Sequence, residues 1–206
     1  MKKLVCLLLA LLLCLTGAAL AESVPSRTTD DMTDVEVDTE NPAAGSEFFI
    51  RLVEKDEIAY QAHLDACAVE VAKLAASQDA EQYFGEPVDS EGRPVSFQDV
   101  LDTDALNVYE FWPVIAGGYQ ESYGKVPTKL LFPTPYEKDE KVVVMIGEVT
   151  VDAEGNQTVQ WTAYEGVGVE APKGSVEKAG AIQTKLDPET VLAIQNGIAL
   201  LAVVSR

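Results

Sequence analysis

The sequence predicts an α+β protein, with a helical region over residues 46–104 packed beside a C-terminal antiparallel β-sandwich over residues 105–206. Three observations carry that prediction. Tyr60, Leu64, Cys67, Val71 and Leu74 recur at spacings of 4, 3, 4 and 3, the stripe of an amphipathic helix. From about Leu106 the pattern changes to short β-branched and aromatic runs punctuated by Gly, Pro, Asn and Asp, as in an all-β unit. The chain also carries too few cysteines for a disulfide framework, so a packed core has to hold the fold.

The N-terminus reads as a signal peptide. Lys2 and Lys3 form its positive start, Leu4–Leu15 its apolar stretch, and Ala19-Leu20-Ala21 the small-x-small pattern that places cleavage after Ala21. The apolar stretch is short of the roughly 20 residues a spanning helix needs, so the membrane enters only if the signal stays uncleaved. Cys14 follows Leu13, where a lipid-modified cysteine follows a small residue. Cleavage removes two lysines and no acids and takes the formal charge from −19 to −21. It also removes Cys6 and Cys14, leaving Cys67 without an intramolecular disulfide partner. The expected location is secreted or extracytoplasmic, at the cell envelope. So acidic a chain is poorly suited to nucleic acid or anionic membrane.

Residues 22–45 hold Asp30, Asp31, Asp34, Glu36, Asp38 and Glu40 with few large apolar residues and read as a disordered acidic linker. The helical stripe then extends upstream through Phe49 and Val53, favouring a single helix from Ser46 to Ala76 over a strand at Phe48–Val53. A short helix over Asp79–Phe84 stops at Gly85, and Ser96 caps another at Phe97–Leu101. Strands follow at Val108–Trp112 and Thr128–Phe132. Val142–Ile146 is a continuous apolar run, as in a strand buried on both faces. Asp152–Asn156 is a hairpin loop, after which Val159, Trp161 and Ala163 alternate with Thr158, Gln160 and Thr162. Ile182–Leu186 is a further strand. Asp187, Pro188 and Gly197 frame a helix over Pro188–Gln195, ahead of a last apolar strand at Ile198–Val204.

On Val142–Ile146, Trp161 and Leu186–Val204, residues 105–205 resemble immunoglobulin-like β-sandwich modules of bacterial secreted and surface proteins. The resemblance is one of fold and lacks a Cys–Trp–Cys signature; it implies a binding or spacer module rather than a catalyst. Leu186–Thr190 also resembles a sortase sorting signal but departs from it, because Asp187 stands where Pro should follow Leu and no Gly follows Thr190.

Chemistry-bearing patterns are sparse. His63 and Cys67 stand four apart on one helix, yet the mature chain has no second His or Cys to complete a metal site. They read as a boundary histidine beside a buried cysteine. Asp152, Glu154 and Asn156 alternate like half a calcium loop, but Gln157 and Ala163 occupy the positions of its Gly and closing Glu. No phosphate-binding glycine loop opens a helix and no serine sits in a nucleophile elbow. No catalytic, metal or cofactor residue is assigned, and no cofactor is expected. The candidate ligand-facing residues are the aromatics Tyr109, Trp112, Tyr119 and Tyr123, which lie within fifteen positions of one another. The sequence therefore reads as an exported, non-catalytic binding module whose partner is a protein, a glycan or an envelope component. A structural or spacer subunit is the second reading. A hydrolase working through two carboxylates is the third.

Overall fold

The computed structural model describes residues 36–39, 47–77, 79–102, 106–132, 136–170 and 180–205; the side chains of 107, 109 and 110 are not described. The signal peptide, its cleavage site, Cys14 and most of the acidic linker lie outside these residues. Eight strands form one antiparallel sheet: β1 (Glu36–Thr39), β2 (Phe49–Leu52), β3 (Asn107–Gly117), β4 (Val126–Phe132), β5 (Lys141–Val151), β6 (Gln157–Val169), β7 (Gly180–Leu186) and β8 (Ile198–Ser205). Their order is β1-β4-β7-β6-β5-β8-β3-β2. The end strands β1 and β2 approach each other without sharing a ladder, so the sheet is nearly closed into a barrel.

This overturns the expected sandwich with a helical region at its side. The reason lies in β5 and β8, which are apolar at almost every position because both of their faces are covered. One face looks into the barrel, where Trp112, Leu130, Phe132, Val144, Ile182 and Leu201 pack together. Helix α4 (Pro188–Asn196) adds Val191 and Ile194 to that interior. The other face is roofed by α1 (Gln61–Ala76), α2 (Ala80–Phe84) and α3 (Phe97–Leu101). Under this roof Phe84 meets Trp161 edge-on at 5.1 Å and Phe111 stacks on Trp161 at 5.6 Å. The helices are a layer on the sheet, not a neighbouring unit.

Further corrections concern the N-terminal half. Glu36–Thr39, expected as linker, pairs with Thr128–Leu131 of β4. The single helix from Ser46 gives way to a strand, a 3-10 turn at Ile58–Tyr60 and a helix that starts at Gln61. Phe49–Leu52 pairs with Val114–Gly117, which lets Phe48 and Ile50 enter the barrel core. The stripe on α1 is also rotated. Ala66, Cys67 and Glu70 are its buried residues, while Val71, expected inside, is exposed. A buried glutamate displaces the apolar stripe because its carboxylate finds three donors: Lys73 on its own helix, Tyr83 on α2 and Gln157 on β6.

The C-terminal elements lie where the sequence puts them, mostly longer. The turn at Asp152 holds itself, its carboxylate accepting from the backbone N–H groups of Glu154 and Asn156 and from the Asn156 amide. A bulge in β3 between Tyr109 and Trp112 adds one residue against β8. It resets the alternation, so Val108 and Phe111, three apart, both reach the helical side while Trp112 enters the barrel. Gly147 lies where the ring of Trp161 crosses β5; a Cβ there would stand 2.6 Å from that ring. No helix among the described residues is long and apolar enough to cross a membrane.

Candidate functional site

The β6–β7 ladder is short. It runs over Val167–Val169 and Ala181–Gln183 and then stops, although β6 begins at Gln157 and β7 ends at Leu186. Beyond the last rung the backbone ladder is not continued, although the strands stay side by side, and the Thr184 hydroxyl donates to the Glu165 carbonyl at 3.0 Å. The edge of β6 is taken instead by the turn Pro87–Val95. There Val88 pairs with Thr162 and with Pro94, and its carbonyl accepts from the Ala163 N–H at 2.8 Å. The turn is closed by Asp89, which accepts from the backbone N–H groups of Glu91 and Arg93 and from the Arg93 guanidinium.

A cleft of about 600 Å³ opens between this turn, α3 and the outward face of β6 and β7, within the range of about 300–1,000 Å³ usual for small-molecule sites. Alternation puts Ala163 and Glu165 on the outward face of β6 and Lys185 on that of β7. These form the floor with Val143. Asp99 and Val100 of α3 close one side. Lys125 and Asp187 close the other, joined by a salt bridge of 2.7 Å. Burial pushes the Asp187 carboxyl up, but hydrogen bonds from Lys125 and Ser90 outweigh it and hold the group below the usual carboxylate range. Asp187 caps α4 with no side-chain bond, contrary to expectation, because its carboxylate is committed to Lys125. Asp89 is likewise held low, by the Arg93 backbone N–H first and its guanidinium second. Tyr164 borders the cleft between Ala163 and Glu165 while its side chain belongs to the barrel core, where its hydroxyl meets Thr190.

A second, shallower depression of about 580 Å³ lies where α1 and α2 meet the start of β6. Its centre is Glu70, 3% exposed. Its carboxylate accepts from Lys73 Nζ at 2.7 Å, Gln157 Nε2 at 2.7 Å and the Tyr83 hydroxyl at 2.6 Å. Burial, and then the hydrogen bond to Glu70, push the Tyr83 phenol far above its ordinary range. These groups are spent on one another and tie the roof to the sheet.

The sequence-predicted residues fall elsewhere. Trp112 and Tyr119 are buried, at 3% and 4% exposure, within the barrel core. Tyr119 donates its hydroxyl to the Gly124 carbonyl and packs against Tyr123, which is half-buried. Tyr109 lies on β3 opposite Val203, its side chain outside the described residues. Trp112 and Tyr119 therefore offer no exposed ring for a ligand. Cys67 donates its thiol to the Phe111 carbonyl at 3.2 Å, while His63 Nε2 lies 3.3 Å from the Gly197 carbonyl and its ring meets Tyr60 edge-on. Burial lowers the His63 pKa. Among the described residues no three His, Cys, Asp or Glu side chains come together as a metal site.

Sequence reasoning missed the cleft because its residues come from five separate segments of the chain. The one local signal was the turn chemistry of Asp89–Pro94. No protein-family model, curated protein or solved structure matches the chain.

Proposed function

We propose that the protein is an exported, non-catalytic binding module and that its ligand sits in the cleft between the Asp89–Ser96 turn and the outward face of strands β6 and β7. One observation carries this reading: the backbone ladder between β6 and β7 is left unfinished at that point, and polar and charged side chains from several elements line the cleft beside it. A gap in a ladder costs hydrogen bonds, and the turn at Val88 repairs only the Thr162–Ala163 stretch of the edge. The two lining carboxyls whose titration is shifted are not set up as general acids. Asp89 and Asp187 are both pushed down, the opposite of the raised carboxyl a general acid needs near neutral pH. The aromatic face expected from the sequence gives way to this cleft as the place for the ligand.

Thermal unfolding of the full chain against glycans, short envelope peptides and divalent ions tests the reading. A ligand at 100 times its Kd stabilises by about 2.7 kcal/mol, a shift of roughly 5–10 °C for a chain of this size. Lys185→Trp fills the cleft from an exposed position without touching the core. The expected result is a shift with one class of compound that disappears in Lys185→Trp. A shift that survives in that variant, or none with any compound, would overturn the assignment.

A further inference from the structure

We infer that the outer edge of β6 at residues 159–161 takes a short extended strand of another protein, cationic, with an apolar residue opposite Val159. This site is separate from the cleft beside the Asp89–Ser96 turn. Its basis is the direction of the backbone groups along β6. The β5–β6 register runs unbroken from Lys141 opposite Val167 to Val151 opposite Gln157. Just outside its two ends the Gly168 N–H donates to the Glu140 carbonyl, and the Asp152 N–H donates to the Asn156 carbonyl. Even-numbered residues of β6 therefore turn their backbone groups toward β5, and odd-numbered residues turn theirs outward. Accordingly the Ala163 N–H reaches the Val88 carbonyl at 2.8 Å, and the Gln157 carbonyl accepts from Lys73 Nζ at 3.0 Å.

Between these two anchors the Val159 N–H and C=O and the Trp161 N–H point outward and meet no hydrogen-bond partner among the described residues. They border the depression of about 580 Å³ that Ser77, Gln82 and Tyr83 wall on the helical side. Exposed strand edges are commonly blunted by a charge, a proline or a bulge. Residues 157–163 carry none of these, in a chain otherwise rich in charge. The edge is thus open, in strand phase and set beside a groove.

An extended chain laid antiparallel along this edge exchanges both hydrogen bonds between one of its residues and Val159, and its carbonyl two residues away accepts from the Trp161 N–H. Residues directly opposite share a face. Val159 packs with Trp161 on the helical side, so the residue opposite it is apolar. Its neighbours turn to the other face, beside the exposed Thr158 and Gln160, and are polar. A second copy of the chain fits less well. The open edge supports a segment of a few residues, far from the roughly 1,600 Å² of a standard interface, and two copies of formal charge −19 repel each other. The same charge attracts a cationic segment.

Calorimetric titration of the full chain with acetyl-Lys-Thr-Val-Thr-Lys-amide tests the inference, alongside the same peptide N-methylated at its valine and one with glutamate for both lysines. The first is expected to bind. The methylated peptide lacks the donor for the Val159 carbonyl and should bind about fivefold more weakly, the scale of one hydrogen bond. The glutamate peptide should also bind more weakly. Val159→Pro removes an outward N–H and leaves the β5 ladder intact, as proline on a strand edge can; it should unfold cooperatively and weaken the first peptide about fivefold. Lys185→Trp should leave that peptide unchanged, which separates this edge from the cleft. No binding of the first peptide, or equal binding of all three, overturns the inference, as does binding lost in Lys185→Trp. Undiminished binding by folded Val159→Pro overturns it too; should that variant not fold, the methylated peptide on the parent chain decides. A dimer in sedimentation that Val159→Pro abolishes would give the edge to a second copy and overturn it as well.

Discussion

Replacing Glu70 by alanine tests the account of how the helical roof is fixed to the sheet. The carboxylate is 3% exposed and accepts from Tyr83, Lys73 and Gln157 at 2.6, 2.7 and 2.7 Å. Lys73 and Gln157 keep second acceptors, the Gln157 and Ala66 carbonyls, each at 3.0 Å. The loss therefore falls mainly on the Tyr83 hydroxyl, set among Phe84, Phe111 and Trp161. A hydrogen bond to a charged group contributes about 1.5–3 kcal/mol, and a buried donor left unsatisfied costs about 1–3 kcal/mol. With partial losses at the other two donors, Glu70→Ala should cost about 3 kcal/mol. For a chain of this length that lowers Tm by about 6–12 °C. Tyr83→Phe should cost about 1.5 kcal/mol, the low end for a hydrogen bond to a charged group, since the carboxylate keeps two partners. Urea denaturation and thermal scans of both single variants and the double variant give the coupling, expected at about 1–2 kcal/mol. A Tm for Glu70→Ala within about 2 °C of the parent, or strictly additive variants, would refute the role assigned to this cluster.

Two further outcomes follow from the structure. Gly147→Ala drives a methyl to within 2.6 Å of the Trp161 ring and of a Val159 methyl, so chemical denaturation should show a loss of about 1–3 kcal/mol from overpacking; unchanged stability would mean the ring is not seated there. Acid dependence is readable at Glu57, which hydrogen bonds from Arg51 and then from the Glu54 N–H lower to a pKa of about 2. A depressed carboxyl stabilises the fold above its unfolded value of about 4 and loses that contribution as pH falls toward about 2. Glu57→Gln should thus lower Tm at pH 6 and converge on the parent near pH 2, and a constant difference across that range would contradict the pairing.

The sequence by itself determined those elements whose signals are local. The Ser96 cap, which accepts from the Asp99 N–H, stands where the pattern puts it, as does the Asp152 hairpin turn. The alternation around Trp161 and the helix framed by Pro188 stand there too. Burial of Val142–Ile146 on both faces was also legible, because a continuous apolar run has no polar side to offer water. Tertiary structure decided what depends on partners distant in the chain. Phe49–Leu52 carries a helical period yet becomes a strand, because β3 offers it an edge and the barrel offers Phe48 and Ile50 a place. Val35, Val37 and Thr39 alternate with Glu36 and Asp38, but so short a run inside an acidic stretch reads as linker until four rungs to β4 hold Glu36–Thr39 as a strand. The face α1 buries follows from Tyr83 and Gln157 reaching Glu70, and no spacing within the helix encodes that. The cleft is the extreme case, since its lining is gathered from five separate segments beside a β6–β7 ladder that ends after three rungs, and a ladder's end is a property of two strands rather than of either sequence.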